Sequence, residues 1–541
     1  MRIDKFWIGK YKNLNDVCID FDEHNWITVV LGWNGTGKSN VLEALATLFR
    51  DLIMDEKTPS FRYKINYVIN DNYITIDADP LRKESYQIYI KPINEEDENK
   101  SLGLMCNDNR EGLGDKIGFS KFKKEKEKYL PKYIFGYYSG HSLRMEEVFK
   151  KYLAKYDRKL RNGEDPGLRQ MFYALPVHSQ FVLLAFLLQQ DDVVREFLDG
   201  QLGIDPENGI DSVLFVLKEP IWNKNNDYDR FWHAKGVVRD FLDRLYNISL
   251  APIRVKRRDE VTLWNKKTLE YVYLYVKDLA SLRELVGDQA PREFFRDLES
   301  TYVSELIEEV RIRVKLRKND GSVIFKELSE GEQQLLTVLG LLRFTAEEES
   351  LFLLDEPDTH LNPTWSIKYL EYLQKFVGGQ GVDQEKSHIL LTTHNPMAIA
   401  ELQKEQIQIL SRDNDSLDIS ASMPDFDPIG MGFAGILTSD MFGLTSSLDL
   451  KTTEALYEKN ILLAMKQKQE LTKDELLKLD ELTEKLQGMG FRRTFRDPMY
   501  SAFLQKLYEK SFTTYTVFND LPKDEKDALI SEILVELEKE D

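Results

Sequence analysis

A glycine-rich run at residues 32–39 reads GWNGTGKS and matches the pattern G-x-x-x-x-G-K-[ST]. Glycines in such a loop let backbone N–H groups curl around phosphate oxygens, and the helix that follows adds the partial positive charge of its N-terminus. In this pattern Lys38 reaches the β- and γ-phosphates of a nucleoside triphosphate, and the Ser39 hydroxyl binds Mg²⁺. The run therefore predicts a site for ATP and Mg²⁺. The other residues expected to bind the nucleotide here are Asn34, Gly35, Thr36, Gly37 and Asn40.

Two adjacent carboxylates end a second apolar run, LFLLDE, at residues 351–356. At the end of a buried strand, Asp355 is placed to hold Mg²⁺, and Glu356 is placed to orient and polarise an attacking water. A helix N-cap or a solvated turn would also explain two acids at a strand end. The phosphate-binding loop in the same chain favours the catalytic interpretation.

A third apolar run, ILLTTH at residues 389–394, ends in a histidine. Ligands of α/β sheets bind outside the carboxyl ends of the strands, and a histidine there is close to the ligand. We therefore expect His394 to hydrogen-bond the γ-phosphate and to respond to its loss.

The segment LSEGEQQ at residues 328–334 precedes a helical pattern at residues 335–344. Ser329 and Glu332 have the spacing of a capping box, in which each side chain bonds the backbone of the other. The same helix N-terminus, with Ser329 and the Gly331 backbone, could bind a γ-phosphate that a second subunit presents. Both interpretations can hold at once.

The apolar runs predict the elements that position these residues. Three further runs suggest an N-terminal β-meander and a buried strand before the phosphate-binding loop, and others suggest strands and a hairpin later in the chain. The pattern is that of an α/β fold. The runs lie at residues 3–8, 17–21, 26–31, 73–76, 86–90, 133–138, 213–217, 310–316 and 323–325.

The strand predicted at residues 310–316 alternates strictly between apolar and basic side chains. Its apolar set faces a core, and Arg311, Arg313 and Lys315 share the other face. This basic face is either a solvated edge, where charge discourages aggregation, or a contact for nucleic acid.

The order of these motifs resembles the ABC-type P-loop ATPases of the SMC, RecF and OLD group. The resemblance is specific in GKSNVLEAL, LSEGEQ, LLDEPDTHLNP, TTHNP and the start IDKFWIGKYKNL. It implies an ABC-ATPase head in which two chains close around ATP. Asp358 would then lie at the dimer interface, and His394 would be the H-loop histidine. The second chain would contribute Ser329, Gly331 and Glu332. The Q-loop glutamine of the family has no clear match; Gln87 and the segment at residues 138–141 are both candidates.

The spacing of the motifs suggests how the head is divided. The phosphate-binding loop lies far from residue 329 in the chain, whereas residues 329, 355 and 394 follow one another closely. We expect a first lobe at 1–145, a mainly helical insertion at 146–300, a second lobe at 301–412 and a mainly helical C-terminal region at 413–541. The insertion lacks sustained heptads, so it is not the long coiled coil of SMC proteins.

Within the group the chain most resembles one branch, and two other branches are alternatives. With its globular insertion and helical tail, the chain resembles the PtuA-like ATPases of Septu and retron anti-phage systems. This resemblance implies a homo-oligomer of paired cassettes and an HNH nuclease partner of the PtuB kind. It also implies contact with nucleic acid, or with a retron reverse transcriptase and its msDNA. A RecF-like DNA-repair ATPase is the second branch. An OLD-like ATPase with its own nuclease is the third; Asp425 and Asp427 form a D-x-D, but no Glu-Gly strand accompanies it.

Composition limits the remaining classes of protein. The chain has 541 residues, 42% of them hydrophobic, and a formal net charge of −19, which argues against a surface that is basic throughout. Two cysteines cannot form a Cys₄ zinc site, and they favour a reducing compartment. We see no targeting segment and no apolar run long enough to span a bilayer, so we expect a cytoplasmic protein without a membrane partner.

Overall fold

The structure is a computed structural model that divides into two units, Met1–Leu444 and Thr445–Asp541. It describes residues 1–93, 114–140, 142–188, 190–223, 228–262, 265–317, 322–345, 348–378, 386–413, 416–468, 471–489, 529–530 and 532–533. Within these ranges no helix is long and apolar enough to cross a membrane.

Strands make up three sheets, all in the first unit. In chain order they are β1 Arg2–Tyr11, β2 Leu14–Asp20, β3 Ile27–Gly32, β4 Tyr63–Ile69, β5 Asn72–Ala78, β6 Tyr86–Pro92, β7 Asp115–Ile117, β8 Tyr133–Tyr138, β9 Met171–Tyr173, β10 Ile210–Lys218, β11 Ile253–Thr262, β12 Asn265–Val276, β13 Ile307–Lys315, β14 Ser322–Ile324, β15 Ser350–Asp355, β16 Ser387–Thr392, β17 Ile407–Arg412 and β18 Ile419–Ser422.

Helices connect and cover the sheets. In chain order they are α1 Lys38–Ile53, α2 Phe119–Lys124, α3 Lys126–Tyr129, α4 Arg144–Arg161, α5 Val177–Leu188, α6 Asp192–Glu196, α7 Gly236–Ile248, α8 Leu279–Val286, α9 Pro291–Val303, α10 Glu330–Thr345, α11 Pro363–Gly378, α12 Gly432–Thr438, α13 Leu450–Lys468 and α14 Lys473–Gly488.

The central sheet has seven strands in the order β18-β17-β3-β16-β15-β8-β9. Its strands pair in parallel except for β18, which is antiparallel to β17. Almost every residue of β3, β15 and β16 is buried, and most are apolar, because both faces of these strands are covered. The carboxyl ends of β3 and β15 therefore lie on either side of the end of β16, at one edge of the sheet.

The two faces of the central sheet pack against different cores. One set of its side chains joins a core that also contains residues of α5, α10 and α11. The alternate set, which includes Val30, Leu353 and Leu390, joins a second core with α1 and the six-stranded sheet. That sheet is antiparallel, in the order β2-β1-β4-β5-β6-β7. The α/β class that the sequence predicts is therefore confirmed.

The segment expected to be a mainly helical insertion contains more helix than strand among its described residues, but it also contributes β10, β11 and β12 to a third sheet. This sheet is antiparallel, in the order β11-β12-β10-β13-β14. Of these strands the sequence predicts β10, β13 and β14 and misses β11 and β12. The lysines and arginines of β11 obscure its pattern, and the run LEYVYLYV in β12 is apolar on both faces rather than alternating.

The second unit contains α13 and α14, which pack against each other. Ala455 and Leu462 of α13 and Leu479 and Leu486 of α14 are buried. An ion pair between Glu458 and Lys478 joins the exposed sides of the two helices. The division of the chain into four domains remains a prediction.

Candidate nucleotide site

The phosphate-binding loop joins the end of β3 to the first turn of α1. Gly37 adopts φ +95°, and a Cβ there would lie 2.7 Å from the Leu14 side chain. Gly32 adopts φ +149°, and a Cβ there would lie 2.5 Å from the carbonyl oxygen of Leu410. Glycine is required at both positions because any larger residue would combine a disfavoured backbone with a clash. Glycine at these two positions therefore permits the tight turn that leads from β3 into α1.

Lys38 folds back over this loop. Its Nζ donates hydrogen bonds to the carbonyl oxygens of Gly32, at 2.7 Å, and Trp33, at 3.4 Å. Burial lowers the pKa of Lys38, and the nearby carboxylates of Glu356 and Asp355 oppose that effect. The amino group thus lies among backbone oxygens and acids at the strand ends, as a phosphate ligand requires.

An asparagine from the β1–β2 turn supports the loop from the side. Asn13 donates from Nδ2 to the carbonyl oxygen of Gly35 at 2.8 Å and accepts at Oδ1 from Asn40 at 2.6 Å. Thr36 closes the turn by donating to the Trp33 carbonyl oxygen at 2.8 Å. Asn13 was not expected as a site residue because nothing in its sequence neighbourhood marks it.

Asp355 is the last residue of β15 and is buried next to the loop. Thr392, at the end of the neighbouring strand β16, donates to Asp355 Oδ1 at 2.5 Å. Burial raises the pKa of Asp355, while hydrogen bonds from Thr392 and Ser39 and the charge of Lys38 act in the opposite direction. The structure thus brings Ser39 and Asp355 together, as the sequence predicts.

Glu356 follows at φ +51°, in the left-handed region. Its backbone N–H donates to Thr392, to Oγ1 at 3.0 Å and to the carbonyl oxygen at 3.1 Å, which holds this unusual conformation. The carboxylate lies 3.2 Å from His394 Nε2. The hydrogen bond from His394 lowers the pKa of Glu356, and the charge of Lys38 adds to the effect. Glu356 therefore stays ionised and able to accept a proton.

Asp358, expected at an interface between two chains, is buried within its own chain. It accepts a hydrogen bond from Thr393 Oγ1 at 2.8 Å. Burial raises the pKa of Asp358, and the bonds from Thr393 and Asn395 oppose that rise. In this structure Asp358 links the loop after β15 to the loop after β16.

The segment at residues 328–334 forms the capping box that the sequence predicts. Ser329 donates from its backbone N and its Oγ to Glu332 Oε2, at 2.7 and 2.9 Å, and Glu332 N donates back to Ser329 Oγ at 3.3 Å. Gly331 packs against the loop after β15, where a Cβ would lie 2.5 Å from the carbonyl oxygen of His360. Ser329 itself is exposed.

The segment at residues 328–334, called the signature segment below, is not bonded to the phosphate-binding loop of its own chain. Among the described residues, no hydrogen bond or ion pair joins residues 329–332 to residues 34–40. The structure therefore assembles the residues of the phosphate-binding loop with Asp355, Glu356 and His394, and leaves Ser329 on a separate, exposed helix end.

A small cavity beside Ser39 and Asp355 is also lined by Tyr138, the first residue of a Q-loop candidate segment, and by Arg144, which the sequence did not indicate. Tyr138, at the end of β8, lies opposite Asp355 in the sheet. Arg144 begins α4, lines the same cavity and donates to Asn40 Oδ1 at 3.3 Å. Of the two Q-loop candidates, Gln87 lies on β6 of the six-stranded sheet, where it pairs with Asp77. The other candidate segment starts at Tyr138, which pairs with Asp355 in the central sheet. The segment that starts at Tyr138 is therefore nearer to the site. His141, in that segment, lies outside the described residues.

The residues at the site fit Mg²⁺ and a nucleoside triphosphate. Mg²⁺ is commonly held by one or two protein oxygens together with phosphate oxygens and waters, and Ser39 and Asp355 are such a pair. A Cβ at Gly32 or Gly37 would clash with neighbouring protein atoms, so glycine permits the tight turn in which a loop of this kind presents N–H groups to a phosphate. Asp427, of the D-x-D, instead accepts a hydrogen bond from the backbone of Lys404. Within the described ranges no group of three or more His, Cys, Asp or Glu residues is arranged to hold a metal.

The sheet order and these motifs have the arrangement of a P-loop ATPase, and the comparisons support an ATPase of the defence-associated SMC- and OLD-like group. Two family models match it. Residues 1–166 match the family described as "AAA ATPase domain". Residues 224–400 match the family described as "AAA domain, putative AbiEii toxin, Type IV TA system".

Two defence proteins are similar to the chain. One is the retron Vc95 probable ATPase of Vibrio cholerae serotype O1 biovar El Tor, 20% identical over 76% of this chain and 74% of that protein. The other is the Septu protein PtuA of Bacillus mycoides strain KBAB4, 26% identical over 34% of this chain and 24% of that protein. The solved Smc head bound to the C-winged helix domain of ScpA aligns with 78% of this chain and 98% of its own, at 11% identity and a TM-score of 0.33.

Proposed function

We propose that the chain binds and hydrolyses ATP at sites shared between two copies, and that the paired state controls a partner nuclease in anti-phage defence. The observation that carries the ATPase proposal is the cluster of Lys38, Ser39, Asp355, Glu356 and His394 at the carboxyl edge of the central sheet. The finer parts of the proposal rest on further observations.

The phosphate-binding loop supplies the ground-state contacts. Backbone N–H groups of residues 34–40 and the N-terminus of α1 would surround the β-phosphate, and Lys38 would exchange its carbonyl acceptors for phosphate oxygens. Ser39 and Asp355 would hold Mg²⁺, which neutralises charge on the phosphates when it is bound.

Glu356 is the residue that would act on water. Its depressed pKa keeps the carboxylate ionised at neutral pH, so it can accept a hydrogen bond from the attacking water and orient it. His394, 3.2 Å away, positions that carboxylate and is itself half-exposed towards the site. A γ-phosphate would lie within reach of both side chains.

The second chain would complete the site. Ser329, the Gly331 backbone and Glu332 lie at an exposed helix N-terminus that does not contact the phosphate-binding loop of the same chain. A helix N-terminus favours a phosphate, so ATP held by one chain would attract this end of α10 in the other. Asp358, which links two loops at the same edge, would transmit closure.

The similarity to a retron ATPase and to a Septu protein supports a role in defence. By this resemblance, the partner is an HNH nuclease. The paired ATPases would release or restrain this nuclease when they close or open. An HNH reading frame beside the gene, and co-purification of its product from the native host, would support the proposal. An ATPase stimulated by DNA without any nuclease partner would favour a RecF-like repair role instead.

The ATPase step is tested with purified protein and its Lys38→Ala variant. We expect Mg²⁺-dependent phosphate release by the parent, and ATP affinity reduced by at least about tenfold in the variant, because a charge-assisted contact is lost. Lys12→Ala is the matched control, since Lys12 pairs with Glu43 rather than with the loop. Equal ATP affinity in parent and Lys38→Ala would contradict the assignment.

A further inference from the structure

The five-stranded sheet has one covered face and one open face. Helices α7, α8 and α9 pack on it, and the side chains that meet them, such as Phe215, Leu274 and Ile312, belong to a large core. The alternate side chains form a separate small cluster around Val216 and Tyr271. No helix contributes to that cluster within the described residues.

Tyrosines run along β12 on the open face. Tyr271, Tyr273 and Tyr275 occupy alternate positions and therefore share a face. Tyr271 is buried, Tyr273 is half-buried and Tyr275 is 38% exposed. Aliphatic residues flank them: the exposed Ile253 on β11 pairs directly with Tyr273, and the partly buried Leu214 on β10 pairs with Tyr275. The strip thus becomes progressively more accessible towards Tyr275.

Cations lie on both sides of this strip. On β11, the guanidinium of Arg257 lies 5.2 Å from the ring centre of Tyr273. On β13, Arg311 pairs with Leu214 in the sheet, and Arg313 follows on the same face. Lys218 lies 5.8 Å from the ring centre of Tyr271.

Carboxylates on and around this face neutralise only part of the charge. Glu309 pairs with Arg311 and Lys326, Asp211 lies 4.0 Å from Lys315, and Glu308 lies 3.4 Å from Lys218. No carboxylate of the described residues lies within ion-pair distance of Arg257 or Arg313. The face is thus locally cationic on a chain whose net charge is −19.

We propose that this open face binds single-stranded nucleic acid, with bases against Tyr273 and Tyr275 and the backbone along Arg257, Arg311, Arg313 and Lys315. Aromatic rings on an open sheet stack with unpaired bases, and flanking cations follow the phosphates. A duplex offers no unstacked base to these rings, so single strands are preferred. The face lies on the third sheet, apart from the nucleotide site, and the inference does not depend on ATP hydrolysis.

The test uses the full-length protein and fluorescence anisotropy with 20-nucleotide oligo-dT, 20-nucleotide oligo-rU and a 20-base-pair duplex. Arg257→Ala combined with Arg313→Ala should reduce affinity for single strands at least about tenfold and lower the salt slope of log K by about 1.4, since each phosphate contact contributes about 0.7. Tyr275→Ala should reduce affinity about fivefold or more through lost stacking. The preference between the dT and rU strands assigns the ligand to DNA or RNA.

Matched controls separate this surface from general electrostatics. Arg158→Ala combined with Lys159→Ala removes two exposed cations of α4, and Tyr457→Ala removes an exposed tyrosine of α13. All variants are checked for an unchanged thermal midpoint and ATPase rate. Binding that the controls retain and the sheet variants lose supports the proposal. Absence of single-strand binding by the parent, a preference for the duplex, or equal affinity in sheet variants and controls would overturn it.

Discussion

The two ends of strand β16 each place a histidine, in opposite environments. His388, at the amino end, is fully buried; its Nδ1 accepts from the backbone N–H of Ile3 at 2.9 Å and its Nε2 contacts Thr28 Oγ1 at 3.2 Å. Burial lowers the pKa of His388 to about 3, so it is neutral. His394, just past the carboxyl end, keeps 39% of its side chain exposed and faces Glu356. The amino end therefore holds a buried histidine bonded within the chain, and the carboxyl end holds a partly exposed one beside Glu356.

The two histidines differ in burial and in contacts because they lie at different ends of the strand, although their residue type is the same. At the carboxyl end, Glu356 and His394 keep partly exposed side chains, although Asp355 beside them is buried. A polar group at the amino end, between strands and the N-terminal segment, must be satisfied internally. Variants at the two ends should therefore differ in what they damage.

The largest effect is expected at the carboxyl end, from Glu356→Gln. The amide cannot accept the proton, so ATP hydrolysis should slow by about 10²- to 10⁴-fold while ATP affinity remains near that of the parent. Single-turnover hydrolysis and equilibrium nucleotide binding measure the two quantities. A variant that turns over ATP like the parent would show that Glu356 is not the base.

At the amino end, His388→Ala should lower stability rather than catalysis. It leaves the Ile3 N–H unpaired in a buried site and opens a cavity, which together cost about 2–4 kcal/mol in the free energy of unfolding. Chemical denaturation measures the loss, and the ATPase rate of the folded variant should remain close to that of the parent. A variant as stable as the parent would break the comparison.

The counterpart is His394→Asn, whose side chain is partly exposed. We expect the thermal midpoint to stay unchanged, since exposed substitutions alter stability by at most about 0.5 kcal/mol. Hydrolysis should slow roughly tenfold, because the carboxylate of Glu356 loses the contact that orients it. A lower thermal midpoint together with an unchanged rate of ATP hydrolysis would contradict the role that we assign to His394.

The smallest effect is a pH dependence of stability from His388. Its pKa is 6.5 in the unfolded chain and about 3 when folded. As the pH falls from 6.5 towards 3, His388 becomes protonated in the unfolded state but stays neutral in the folded state. The contribution of neutral His388 to the free energy of unfolding is therefore lost over this range. Between pH 7.5 and 5.5 the parent should lose about 1.4 kcal/mol more than His388→Ala. Parallel pH profiles would contradict this linkage.

Much of the head could be predicted because its motifs are local. The loop at residues 32–39, the strand that ends at Asp355 and the capping box of Ser329 and Glu332 each depend on neighbours in sequence. The class of ATPase and its α/β fold followed from their order. The roles of the individual site residues remain predictions.

Other parts of the site depend on pairing between distant segments, which no local pattern contains. Asn13 supports the loop across the β1–β2 turn, Thr392 bonds Asp355 through strand pairing, and Arg144 reaches the cavity from α4. The sequence of β12 does not show which face of the sheet its tyrosines occupy. The pairing of β12 with β10 places them on the open face.

The central claim, a site shared by two chains, is tested most directly by mixing two inactive variants. Lys38→Ala damages the phosphate-binding loop, and Ser329→Arg damages the signature segment. If one chain completes the site of the other, a mixed dimer has one site with both lesions and one intact site. For a two-fold dimer with random pairing, the mixture should recover roughly a quarter of the parental ATPase rate. A mixture no more active than the sum of its two components would contradict the shared site.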